Sequence, residues 1–119
     1  DVTVKSSYET HTTPTVEITK ESLFTQYPHS IGNGGTTLTI PESHVLGQEV
    51  GDTNNIFIKF NNIPYTGGEN FYLTVYENCA MIQTGHSKGE ATEDEQKILA
   101  NTIFYLYAQK VMKDEGLAR

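Results

Sequence analysis

The chain has 119 residues, which suits one ordinary domain and is too short for two. Its 15 acidic and 8 basic residues give a formal net charge of −7 at pH 7, so it lacks the positive field that nucleic acids and anionic membranes attract. No apolar run approaches the length of about 20 residues that spans a membrane. Because Cys79 is the single cysteine, an internal disulfide and a cysteine-based zinc cluster are excluded. We expect a soluble chain, or a mature piece cut from a precursor.

The first 22 residues are rich in threonine and β-branched residues, and Pro14 separates two short extended stretches. Their apolar residues form no continuous face. We therefore expect residues 1–22 to form an extended, poorly buried arm and residues 23–119 to form a single α/β domain.

Local patterns predict several strands in the middle of the chain. The β-branched run at 36–40 meets Pro41, where we expect the strand to stop. We expect another short strand within 44–50. The clearest strand of the first half is the run NIFIKF at 55–60.

Two apolar runs, 71–76 and 79–83, are separated by Glu77 and Asn78 alone, and this spacing predicts a tight hairpin. Cys79 lies in the second run with no histidine close in sequence. We expect it to be a buried structural thiol.

The strongest local signal is the start of a helix at Thr92. A hydroxyl at the N-cap and Glu95 three residues later form a capping-box pattern, and the acidic first turn suits the helix dipole. We predict a helix from about Glu93 to Lys113 that ends near Gly116. With the strands, this predicts an α/β fold, or an α+β fold as the alternative, with a mixed sheet of about five to six strands and one long C-terminal helix.

Apolar residues surround this helix almost completely, which is typical of a helix buried on all sides. One small sheet covers one side only. We therefore expect another element of a larger domain, or another chain, to cover the interface candidates Phe104, Tyr107 and Val111. The alternative is that Tyr105 and Tyr107 lie at the surface with their hydroxyls in water.

The best single candidate for a ligand site is His86, in a glycine loop between a strand and the helix N-terminus. Gly85, Ser87, His44 and Glu69 are the other candidate ligand-binding residues. The alternative is that His86 hydrogen-bonds locally and the loop glycines only permit positive φ. No short metal-ligand spacing and no G-x-S-x-G motif occurs, so the sequence predicts no metal site, no cofactor and no serine hydrolase.

Short motifs follow one another in a fixed order: TQYPHSIG at 25–32, LTIPESH at 38–44, NFYL at 70–73, TGHS at 84–87 and KILANT at 97–102. This order resembles an uncharacterised domain family of large surface proteins of Gram-positive bacteria, with its T-x-Y-P-Y-x-I segment, G-H-S loop and K-L-F-V-N-T helix. The resemblance covers residues 23 to 110. It departs from the family pattern at His29 and at 44–49.

Residues 71–107 are also similar to the closing hairpin and helix of glutamine-amidotransferase-like α/β domains, including the trehalose-utilisation type. This similarity implies that the chain is part of a larger layered fold. Cys79 does not match the amidotransferase nucleophile and no His-x-Glu pair occurs, so amidotransferase catalysis is not implied.

The resemblance, the absence of a nucleophile motif, the threonine-rich arm and the apolar helix together favour a non-catalytic binding or assembly domain of a secreted or cell-surface bacterial protein. The implied partner is a missing segment of its own chain or a second copy, with no nucleic acid and no membrane span. The alternative is a carbohydrate-binding or hydrolase-like module, with a small-molecule or sugar ligand in a pocket around His86. A third hypothesis is a fragment of a larger amidotransferase-like domain.

Overall fold

The structure of the protein is a computed structural model that describes residues 2–4, 11–45, 48–84 and 91–116. The strands in chain order are β1 (Val2–Val4), β2 (His11–Ile18), β3 (Thr37–Val45), β4 (Gln48–Val50), β5 (Ile56–Phe60), β6 (Phe71–Tyr76) and β7 (Cys79–Ile82). One helix, α1 (Glu93–Asp114), follows them. Short 3-10 helices lie at Leu23–Thr25, Thr53–Asn55 and Gly67–Asn70.

Five strands form one sheet in the order β3-β2-β5-β6-β7, and β1 pairs with β4 in a second, two-stranded sheet. The expected α/β fold, with about five strands in the sheet and one long C-terminal helix, is confirmed. Every pairing between described strands is antiparallel, whereas a mixed sheet was expected. Parallel pairing needs a crossover connection, usually a helix, and here α1 follows the last strand.

The structure places residues 11–18 differently from the poorly buried arm that the sequence predicts. They form β2, an inner strand between β3 and β5, and the side chains of Val16 and Ile18 are fully buried. Pro14 is tolerated because it lies at a break in the β2–β3 pairing, between Thr13 and Thr15, where no regular ladder bond is lost.

The same break explains why β3 does not stop at Pro41. Thr13 pairs with Ser43 and Thr15 with Thr39, so Pro41 and its two neighbours bulge opposite Pro14 alone. A proline in this bulge of an outer strand removes no regular ladder bond. β3 therefore continues to Val45, and the short strand expected within 44–50 is reduced to β4.

The predicted hairpin and helix are confirmed. β6 and β7 pair from Tyr76 and Cys79 onward, with Glu77 in the left-handed region at φ 54°. Cys79 is exposed rather than buried, because β7 is the outer strand and follows this exposed turn. Thr92 caps α1 by accepting a hydrogen bond from the Glu95 N–H at 3.1 Å.

The core lies between the five-stranded sheet and α1. Phe24, Phe57 and Tyr105 form a cluster of edge-to-face rings, with centroids 5.5 to 6.5 Å apart. A smaller apolar cluster links the two-stranded sheet to the main sheet through Val50, Ile56 and Phe71. Burial of these aromatic side chains contributes to the packing of α1 on the sheet.

Polar contacts fix the N-terminal end of α1 against the sheet. The Thr39 N–H donates to the Asp94 carboxylate at 2.9 Å, and the Thr92 hydroxyl donates to the Thr39 carbonyl at 2.5 Å. Inside the core, the Tyr72 hydroxyl donates to the Glu95 carboxylate at 2.5 Å. Burial, together with the bond to Glu95 and its negative charge, raises the pKa of Tyr72 well above its ordinary value.

This raised pKa predicts a loss of stability at alkaline pH. Above about pH 10 the unfolded chain releases the Tyr72 proton while the folded chain retains it, so the free energy of unfolding falls by about 1.4 kcal/mol per pH unit from this group. Urea unfolding between pH 9 and 11 measures the slope. In the Tyr72→Phe variant the free energy of unfolding should fall less steeply with pH than in the unmodified protein, by about 1.4 kcal/mol per pH unit. Equal slopes in the variant and the unmodified protein would contradict the prediction.

Candidate protein interface

Three large side chains on α1 point away from the core: Ile103, Tyr107 and Val111 are 69%, 65% and 37% exposed. Their spacing of four residues places them on one face of the helix, which we call the α1 stripe. The buried residues of α1 are Glu95, Ile98, Asn101 and Thr102. The described residues therefore leave the α1 stripe largely uncovered, and the expectation that a further element or another chain covers this side of α1 stays a prediction.

The remaining interface candidate, Phe104, is half-buried beside the α1 stripe. Its ring contacts Tyr27, with the two centroids 4.6 Å apart, and Tyr27 is itself 53% exposed. Tyr105 is half-buried against Phe24 and Phe57, so the alternative of a surface tyrosine describes Tyr107 rather than Tyr105. The aromatic pair extends the apolar surface from α1 onto the loop before β3.

A buried amide on α1 positions this loop. Asn101 is fully buried, and its Nδ2 donates to the carbonyl oxygens of Phe24 and His29, each at 2.7 Å. Its Oδ1 accepts from the His29 N–H at 3.0 Å. These three bonds clamp the backbone on both sides of Tyr27. Ser22 strengthens the same loop by capping its 3-10 helix.

Ion pairs occur among the polar residues of α1. Lys110 pairs with Asp114 at 3.0 Å and Lys97 with Glu93 at 3.5 Å, both four residues apart on the helix. Lys113 reaches Glu77 at 3.7 Å. All three pairs are exposed to solvent, so each contributes little to stability. Each of the three lysines of α1 is thereby paired with a carboxylate.

The ligand site predicted from sequence is only partly visible. Gly85, His86 and Ser87 lie outside the described residues. His44 is in β3, opposite Thr12, and its side chain lies outside the part of the chain that the structure describes. Glu69 lies in the 3-10 helix before β6. Since β2 and β5 stand between β3 and β6, the sheet does not make His44 and Glu69 neighbours.

The clefts among the described residues that were not predicted from sequence include the following two. One, of about 400 Å³, has Lys20 and Lys59 in its lining together with uncharged polar side chains. The other, of about 230 Å³, is more apolar and includes Cys79 and Tyr76. The sequence of β5 shows Lys59 as a cation within an otherwise apolar strand. The position of Lys20 in the same cleft depends on strand pairing, which the sequence pattern does not show.

Within the described ranges, no group of three or more histidine, cysteine or acidic side chains is arranged to hold a metal ion. Among the described residues, no helix is both long enough and apolar enough to cross a membrane. Comparisons with protein-family models, with curated proteins and with solved structures find no match to this chain.

Replacing Asn101 by Ala should release the clamped loop. The change leaves the backbone groups of Phe24 and His29 without their partner, so we expect a loss of about 2–4 kcal/mol in the free energy of unfolding. Denaturant unfolding measures this loss. Lys110→Ala, on the exposed side of α1, is the control and should cost less than about 0.5 kcal/mol.

Amide hydrogen exchange gives a local test of the same clamp. In Asn101→Ala, the His29 N–H should exchange faster than a global loss of stability accounts for. Unchanged protection at His29 relative to core amides would contradict the assigned role of Asn101.

Proposed function

We propose that this chain is a non-catalytic assembly domain of a secreted or cell-surface bacterial protein, and that the α1 stripe is its assembly surface. The exposure of Ile103 and Tyr107, each about two thirds, on one face of α1 is the observation that supports it. Contiguous apolar patches larger than a few hundred Å² on a protein surface mark interaction sites. The resemblance to surface-protein domains supports the cellular setting.

The partner we propose is a second copy of the chain. The stripe has the same spacing in both directions from Tyr107, with Ile103 four residues before it and Val111 four residues after it. Two helices packed antiparallel about an axis at Tyr107 therefore place Ile103 of each copy against Val111 of the other. Such a two-fold contact uses one surface twice and closes at a dimer.

Charge and polarity at the margin of the stripe fit the same arrangement. In the antiparallel pair, Lys110 of one copy lies near Phe104 of the other, where a cation and an aromatic ring attract each other. The dipoles of the two α1 helices then point in opposite directions, which favours antiparallel packing. Lys110 and Asp114 are already paired within each copy, so docking brings few unpaired charges together.

The stripe is small for a stable interface. Stable complexes bury roughly 800 Å² per partner, which is more than three helix side chains and one aromatic pair supply. We expect a weak dimer, with a dissociation constant on the order of 10 µM. Each copy carries a formal charge of −7, so added salt should screen the repulsion and tighten the dimer.

Sedimentation equilibrium tests the proposal. Tyr107→Asp places a charge at the two-fold axis and should weaken the dimer at least about 30-fold, because a desolvated charge without a partner is costly. The matched control is Tyr76→Asp, since Tyr76 is 62% exposed but lies at the end of β6, away from the stripe. This control should leave the dimer intact.

Disulfide trapping tests the orientation. In a Cys79→Ser background, mixed Ile103→Cys and Val111→Cys chains should form mixed disulfides faster than either chain forms disulfides with itself, because antiparallel packing brings these two positions within bonding distance. Preferential self-disulfides would contradict the antiparallel arrangement. A monomer at all concentrations and salt conditions, or equal effects of Tyr107→Asp and Tyr76→Asp, would overturn the assembly proposal.

A further inference from the structure

We propose that the cleft containing Lys20 and Lys59 binds a small anionic sugar, carboxylated or phosphorylated. The cleft has a volume of about 400 Å³, within the range of roughly 300–1,000 Å³ that small-molecule sites occupy. No residue of α1 is in its lining, so this inference is independent of the assembly surface.

The distribution of lysines is the first observation. In the described ranges, Lys97, Lys110 and Lys113 each pair with a carboxylate. The remaining lysines of those ranges, Lys20 and Lys59, form no ion pair there, and both line this cleft. Two unpaired cations in one concave site concentrate positive potential on a chain whose formal charge is −7.

The two lysines are placed by different parts of the fold. The Lys20 Nζ lies 5.2 Å from the centroid of the Phe57 ring and donates to the Asn54 carbonyl at 3.3 Å, which leaves further N–H donors for a ligand. Lys59 is half-buried on β5, whose backbone pairs with a strand on each side. Its cross-strand neighbour Glu17 forms no ion pair with it and does not line the cleft.

Uncharged polar groups complete the site. The side chains of Thr53, Asn54 and Asn70 line the cleft and make no hydrogen bond to any other described residue. Hydroxyl and amide groups both donate and accept hydrogen bonds, which suits the hydroxyls of a sugar. Ammonium groups supply the complementary charge for a carboxylate or a phosphate. Together they favour an anionic polyol over a neutral sugar or an apolar molecule.

Titration calorimetry with glucuronate, glucose 6-phosphate, glucose and inorganic phosphate tests the inference. We expect at least one of the two anionic sugars to bind at least about 10-fold more tightly than glucose and than inorganic phosphate. Their relative affinities identify carboxylate or phosphate as the preferred group. Binding should weaken as salt is added, since both lysines are accessible to solvent ions.

Two variants test the lysines separately, because a change on an inner strand can disturb folding. Lys59→Gln and Lys20→Gln should each weaken binding of the preferred sugar at least about 5-fold. The matched control, Lys113→Gln on α1, should not change it. NMR amide shifts should locate the bound sugar at Asn54 and Asn70.

Several outcomes would overturn the inference. They are equal affinity for glucose and both anionic sugars, affinity for inorganic phosphate equal to that for the sugars, unchanged binding in both lysine variants, and shifts confined to residues outside the cleft.

Discussion

The buried amide of Asn101 is the interaction on which the exposed surface of the molecule depends. It satisfies three backbone groups on the loop before β3, and no apolar side chain of similar size could do so. Because the amide sits on α1, the loop and the helix are fixed relative to each other. Tyr27 is thereby held against Phe104, beside the α1 stripe.

Other polar contacts set how α1 lies on the sheet. Tyr72 and Glu95 meet inside the core, while Thr92 and Asp94 bind the backbone of Thr39 on the outer strand β3. Apolar packing alone tolerates sliding and rotation of a helix, whereas hydrogen bonds with these distances do not. The same contacts occupy outward-facing backbone groups of β3, which would otherwise be free to pair with another strand.

This orientation separates two surfaces of different character. The α1 stripe is apolar and suits a flat, symmetric protein contact, while the lysine cleft is concave and polar. No residue of α1 lines the cleft, so the proposed assembly surface and the proposed ligand site share no residue.

Sequence patterns alone determined the elements whose signals are local. The capping residue and acidic first turn located α1, and two residues between apolar runs located the β6–β7 hairpin. The predictions of β2 and β3 were wrong at Pro14 and Pro41. The two strands accommodate these prolines because both prolines lie in the same bulge of the β2–β3 pairing. Apolar residues around α1 identified the interface candidates, but their exposure depends on how many elements pack on the helix.

Lys20 and Lys59 are 39 positions apart, and only the pairing of β2 with β5 brings them to one cleft. Local conformation follows from residues that are neighbours in sequence. Burial of a side chain, and the meeting of distant side chains in one site, require contacts between residues far apart in sequence, and only the tertiary structure decides these contacts.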